Sequence, residues 1–166
     1  NHWWFLFKLR HKAILSAIEA AEQRTSGEVR VFISHRKCPD PAAAAREQFD
    51  LLNMRATQER NGILFFIAPR SRNFAIIGDE GIHAKCGDAF WSELASLMSA
   101  AFREGKLTQG LAQSIERAGT LLAEHFPRRE GDSNELPIKS SEAEAFVSVG
   151  TSGEEGRAIA LHDPLH

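Results

Sequence analysis

GILFFIAPRSRNFAIIGDEGI, residues 62–82, is the stretch that decides how this chain folds. Its ILFFIA block is an unbroken apolar run, as carried by a central strand covered on both faces. The polar link at 70–73 is too short for a crossover, so residues 74–77 turn back as an antiparallel hairpin partner. The returning strand then meets two adjacent acids, Asp79 and Glu80, held between Gly78 and Gly81.

Upstream, EVRVFIS at 28–34 alternates Val29, Val31 and Ile33 with Arg30 and Phe32, the pattern of a strand with at least one buried face. Between the two strands, PDP at 39–41 opens a helix whose alanine run leads to Phe49, Leu52 and Met54 on one side. A strand, helix, strand succession implies parallel strands joined by a right-handed crossover. Residues 8–24 place Leu9, Ala13, Ile14, Ala17, Ile18 and Ala21 at helical spacing. Downstream, Asp88 is expected to start a long helix ended by Gly105, and Thr108 to cap another that stops at Pro127. Beyond Arg128 periodicity fades into Gly, Ser and Glu, and only AFVSV at 145–149 resembles a strand.

With 166 residues and one apolar set, the chain is expected to form one domain over 8–137, with an aromatic segment at 1–7 and a low-information tail at 138–166. A net charge of -2 argues against nucleic acid held on a broad basic surface. Cys38 and Cys86 stand in no metal or disulfide spacing. They fit a reducing, cytoplasmic setting, with a periplasmic or membrane-associated parent as the alternative. No apolar run approaches the roughly 18 residues of a membrane span. Trp3, Trp4, Phe5 and Phe7 suit packing on the first helix before docking on a membrane interface or an unknown protein partner.

Chain direction brings the start of strand one, the start of strand two and the end of strand three to one border. That border gathers Ser26 and Glu28 from TSGE, Glu59 and Asn61 from ERNG, and Asp79 and Glu80 from GDEG. Carboxylates within about 4–6 Å raise one another's pKa unless a cation or base sits among them. Arg60 is the candidate base. The other solution is a divalent cation, and a set made only of oxygen donors favours calcium over magnesium. Gly78 and Gly81 would admit backbone carbonyls close to such an ion. A glycine-flanked turn with solvated acids is the third alternative.

The blocks RTSGEVRV (24–31), ERNGILFFIAPRSRNFAIIGDEGI (59–82), FW (90–91), FREGKLTQGL (102–111) and HFPR with NELP resemble, in this order, the TPM domain family. That family is named for thylakoid-lumen phosphatase-like, photosystem-repair and channel-modulator members. The resemblance spans about residues 8–137 and implies a three-layer α/β/α sandwich around a small mixed sheet. It further implies calcium at the sheet edge, with Glu28, Asp79 and Glu80 as acidic ligands and Asn61 and Arg60 as nearby support; Glu59 of the same border is a further candidate ligand beside them. A plant member's association with acid phosphatase activity implies the alternative of a metal-assisted phosphatase on the same rim. After NELP the sequence departs from the family, with Ile138 and Lys139 where an acid is usual.

No nucleophilic cysteine loop, HExxH, GxSxG or phosphate-binding loop occurs, so a non-catalytic binding module without organic cofactor is favoured over an enzyme. His83, Lys85 and Asp88 follow the acids and are secondary candidates, better explained as surface residues. His35, Arg36 and Lys37 form a small basic cluster at the opposite edge, best explained as a solvated loop.

Overall fold

A computed structural model describes residues 10–128 and the backbone of residues 158–161. Four helices and four strands follow one another as α1 (His11–Glu22), β1 (Glu28–Ile33), α2 (Pro41–Leu51), β2 (Gly62–Ala68), β3 (Asn73–Gly78), α3 (Glu80–Glu104), α4 (Leu107–His125) and β4 (Ala158–Leu161). The sheet order is β1-β2-β3-β4. β1 pairs parallel to β2, β2 antiparallel to β3, and β3 parallel to β4. This is the expected mixed sheet, with an added strand from the tail that residue pattern alone did not show. The strand-like stretch at 145–149 lies outside the described residues.

The alternation of each strand sorts its side chains between two layers. Val29, Val31, Ile33, Ile63, Phe65, Ile67, Phe74 and Ile76 meet α1, α3 and α4 in one core. Phe32, Leu64, Phe66, Ala68, Ala75 and Ile77 meet Ala45 and Phe49 of α2 in the other. The apolar run of β2 is therefore needed on both faces. Phe32 stacks on Phe66 at 5.4 Å between centroids, and Phe74 stacks on Phe102 at 5.9 Å.

Three element boundaries differ from those expected. Two helical segments meet at Gly87, whose φ is +74°: the expected long helix follows it from Asp88 to the Gly105 cap, and residues 80–86 add a helical segment that was not expected. The cap of α4 is Lys106, and Thr108 lies inside the first turn, where its Oγ1 accepts from the Arg10 N–H at 3.1 Å. The hairpin link is a 3-10 turn over Pro69–Ser71 with Arg72 in the left-handed region. As expected, Asp40 caps α2 by accepting from the Ala43 N–H at 3.1 Å, with Pro41 at the first turn. Among the described residues no helix is long and apolar enough to cross a membrane.

Candidate functional site at the acidic end of the sheet

The registers bring the three strand tips together. Glu28 lies opposite Gly62, Ile63 lies opposite Gly78, and the Asp79 N–H donates to the Gly62 carbonyl at 2.9 Å. Glu28 continues the row of Phe32, Gly62 the row of Leu64, and Asp79 the row of Ile77. All three therefore face the α2 layer at the same end of the sheet. Glu28 and Asp79 stand two strand spacings apart, about 10 Å between Cα atoms. Gly62, between them, has no side chain, and a Cβ there would lie 2.8 Å from the Met54 carbonyl oxygen. The gap between the two acids is thus roofed by a backbone oxygen.

Asp79 is fully buried. Its charge is answered by Arg60, whose Nε donates to Oδ2 at 2.8 Å and Nη2 to Oδ1 at 3.0 Å. Such a two-pronged pair gives both carboxylate oxygens charge-assisted hydrogen bonds. Arg60 also reaches Glu80 at 3.3 Å, and Arg55 lies 3.8 Å from Asp79. The carboxylate pushes the Arg60 guanidinium further up from its ordinary value. The backbone of Arg60 has φ +51°, a left-handed conformation that costs a non-glycine residue about 1–2 kcal/mol. Of the three alternatives for these acids, the base is the one observed, and the solvated turn is excluded for Asp79. Glu80 remains exposed at the first turn of α3.

The remaining expected residues divide. Asn61 is buried, and its Nδ2 donates to Ser26 Oγ at 3.3 Å while its Oδ1 has no hydrogen-bond partner. The Ser26 hydroxyl in turn donates to Glu59 Oε2 at 3.0 Å. Glu28 is buried with Arg30 Nη2 3.4 Å away. His83 is half-buried one turn into α3, whereas Lys85 lies over the Phe126 ring at 4.7 Å and Asp88 is exposed beyond the Gly87 break. The two glycines act otherwise than expected: a Cβ at Gly81 would strike the Glu59 carbonyl at 2.1 Å, and one at Gly78 the Trp91 ring at 2.1 Å. They admit the 59–61 loop and a core indole rather than an ion.

One participant was missed. Glu22, the last residue of α1, is buried beside Glu28, and its Oε2 accepts from the Val29 N–H at 2.7 Å and from Arg30 Nη1 at 2.5 Å. Arg30 also donates to the Val29 carbonyl at 2.7 Å. Glu22 and Arg30 together close the backbone of Val29 at the outer edge of β1, where no further strand pairs among the described residues. Burial, with Glu28 close by, pushes the Glu22 carboxyl up to about 8 against the opposing pull of Arg30. In sequence Glu22 reads as an ordinary polar residue at a helix end; only its position across from Glu28 and Arg30 distinguishes it. The turn that joins it to β1 is pinned by HFPR, through Ser26 N–H to the Phe126 carbonyl at 2.9 Å and Arg128 Nη1 to the Glu22 carbonyl at 2.6 Å.

Among the described residues, no three His, Cys, Asp or Glu side chains lie close enough together to hold a metal ion. The donor chemistry of the rim nevertheless suits a hard cation: carboxylates, an amide oxygen without a hydrogen bond, and the Met54 carbonyl.

Comparison with known proteins agrees with the fold and the order of these segments. The family model described as the TPM domain matches residues 5–121. The NMR structure of BA42 protein from the psychrophilic bacterium Bizionia argentinensis is 35% identical, with a TM-score of 0.73, covering 85% of this chain and 91% of that one. No curated protein matches the chain. The matched segment exceeds half of the sequence and contains β1, β2, β3 and every residue of the rim, and the chain belongs to the TPM domain family.

Proposed function

We propose that this domain is a non-catalytic binding module that takes a divalent cation, calcium before magnesium, at the acidic end of its sheet. The observation carrying this reading is the buried amide oxygen of Asn61, left without a hydrogen bond in the residue that precedes Gly62, at the same end of the sheet as Glu28 and Asp79. A buried polar atom without a partner costs about 1–3 kcal/mol, which a cation at that oxygen would recover. Calcium accepts six to eight irregular oxygen ligands, and the rim offers Glu28, Asn61, Asp79 and Glu80, with Glu59 in support.

In this reading Arg60 and the cation compete for Asp79. The arginine supplies one positive charge to Asp79 and Glu80, and a calcium ion supplies two. Binding therefore releases a guanidinium held in a strained backbone, and that local change is what a protein partner would recognise. The test is thermal melting with and without millimolar calcium after chelator treatment, on the wild type and Asp79→Asn. Binding at a hundred times Kd adds about 2.7 kcal/mol of stability. The wild type should melt higher in calcium and the variant should not; a wild-type melt indifferent to calcium ends the proposal.

A metal-assisted phosphatase on the same rim is the second reading, favoured by the guanidinium groups of Arg55 and Arg60 beside Asp79, since arginine pairs suit phosphate. Hydrolysis of a chromogenic phosphate ester by wild type and Asp79→Asn decides it: equal turnover removes the rim as catalyst.

A further inference from the structure

The basic triplet His35, Arg36 and Lys37 is not an isolated loop. It lies at the end of the molecule where β1 and β2 finish and β3 begins, opposite the acidic rim. The turn between β2 and β3 adds Arg70 and Arg72, and Arg70 Nη1 donates to the His35 carbonyl at 3.3 Å. α3 runs the length of the sheet from Asp79, so its end delivers Arg103, and the following turn delivers Lys106. α1 starts beside it, with the Arg10 N–H on Thr108 and His11 close enough to His35 to feel its charge.

Four turns thus place four pairs of permanent cations at one end: Arg10 with Lys12, Arg36 with Lys37, Arg70 with Arg72, and Arg103 with Lys106. Among the described residues, Asp40 and Glu104 are the acids that oppose them there. All of the cations are exposed except Arg72, which is half-buried. Eight cations thus face two acids at this end, although the full chain carries more Asp and Glu than Lys and Arg. The helical stretch after Gly87 alone is about 25 Å long at 1.5 Å per residue, so the two ends stand more than two screening lengths apart at physiological salt. The charges of the two ends are therefore largely screened from one another.

We propose that the basic end is a docking face for an anionic lipid bilayer. Its cations are spread over four turns on a broad end, matching a charged plane rather than a groove. Among the described residues of those turns, no aromatic side chain is exposed to stack on a base. The chain enters the fold at this end, and the residues directly ahead of Arg10 are Trp3, Trp4, Phe5, Leu6, Phe7 and Lys8. Aromatics with neighbouring basic residues are the composition that partitions into a membrane–water interface. Docked in this way, the domain turns its acidic rim away from the surface, toward solution.

The experiment is co-sedimentation of the full chain with vesicles of 30% phosphatidylserine and 70% phosphatidylcholine in 0.1 M NaCl with EDTA. Phosphatidylserine vesicles should retain the protein, pure phosphatidylcholine should not, and 0.5 M NaCl should release it. Each basic residue removed near an anionic surface weakens partitioning about five-fold, so Arg36→Gln, Lys37→Gln and Arg70→Gln together should weaken it about 100-fold. A second triple, Lys12→Gln, Arg103→Gln and Lys106→Gln, should do the same with an unchanged melting temperature, while Arg24→Gln, which removes an exposed cation from the opposite end, binds like the wild type. Equal binding to both vesicle types overturns the proposal. So does binding that needs calcium, which would place the acidic rim on the lipid, or charge-dependent binding to duplex DNA without binding to vesicles.

Discussion

Glu22 makes a quantitative prediction about pH. Its carboxyl is buried beside Glu28 with Arg30 as the shared base, and its folded-state value of about 8 lies above the 4.5 of an ordinary glutamate. Between those two values the folded chain keeps a proton that the unfolded chain has released. Stability contributed by that proton is complete below the unfolded value and is lost as pH rises toward 8, beyond which the dependence flattens. One unit is worth about 1.4 kcal/mol, so raising pH from 6 to 8 costs at most about 3 kcal/mol from this residue. Glu22→Gln keeps the shape and the acceptor for the Val29 N–H but has no proton to lose. The assay is calorimetric melting of both proteins at pH 6, 7 and 8, read as the difference between them so that other titrating groups cancel. At about 4 °C per kcal/mol for a domain of this size, the wild type should lose on the order of 5 to 10 °C relative to the variant across that range. A difference that stays constant with pH refutes the reasoning. Glu22 would then be serving Arg30 as a carboxylate throughout, with no proton to lose in either state over this range.

Other outcomes follow from the same geometry. Gly78→Ala puts a methyl group 2.1 Å from the Trp91 ring and should cost about 1–3 kcal/mol by overpacking, partly recovered by adding Trp91→Leu; an unchanged melting temperature for the single variant contradicts the packing. Arg60→Ala leaves Asp79 buried without its guanidinium and should lower calcium-free stability by about 1–3 kcal/mol while raising calcium affinity, measured by titration calorimetry; unaltered affinity would mean that Arg60 is not the competitor. Cys38 is buried and burial pushes the Cys86 thiol up to about 11, so iodoacetamide at pH 7.5 should label the folded chain slowly at both; rapid labelling of Cys86 would show it exposed and ionised.

The layered fold was readable because two periodicities and two short links constrain it. The unbroken run of β2 demanded cover on both faces, the polar link after it demanded a hairpin, and PDP marked the crossover helix. Chain direction alone then placed Glu28 and Asp79 at one end. Partner choice within that end was not readable. Whether Asp79 meets Arg60, a cation or water depends on the left-handed turn at Arg60, and nothing in ERNG distinguishes that conformation from a plain loop. The start of α3 was missed because Gly81 and Gly87 both discourage a helical reading, although packing against the 59–61 carbonyls requires the first of them. Glu22 was invisible because its role comes from the free edge of β1, which is a property of the sheet. The basic end was half visible: HRK stands out in sequence, but its association with Arg70, Arg72, Arg103 and Lys106 exists only after four separate turns are brought together.

The central claim is that Asp79 exchanges Arg60 for a divalent cation among the oxygen donors of the three strand tips. An NMR titration of uniformly labelled protein with calcium, following the backbone amides of Glu28, Asn61 and Glu80 and the Nε–H of Arg60, tests it directly. Saturable shifts at those three amides, together with loss of the hydrogen-bonded Arg60 Nε–H signal, are the expected result. An Arg60 signal unmoved at millimolar calcium, or shifts confined to another part of the chain, would contradict it.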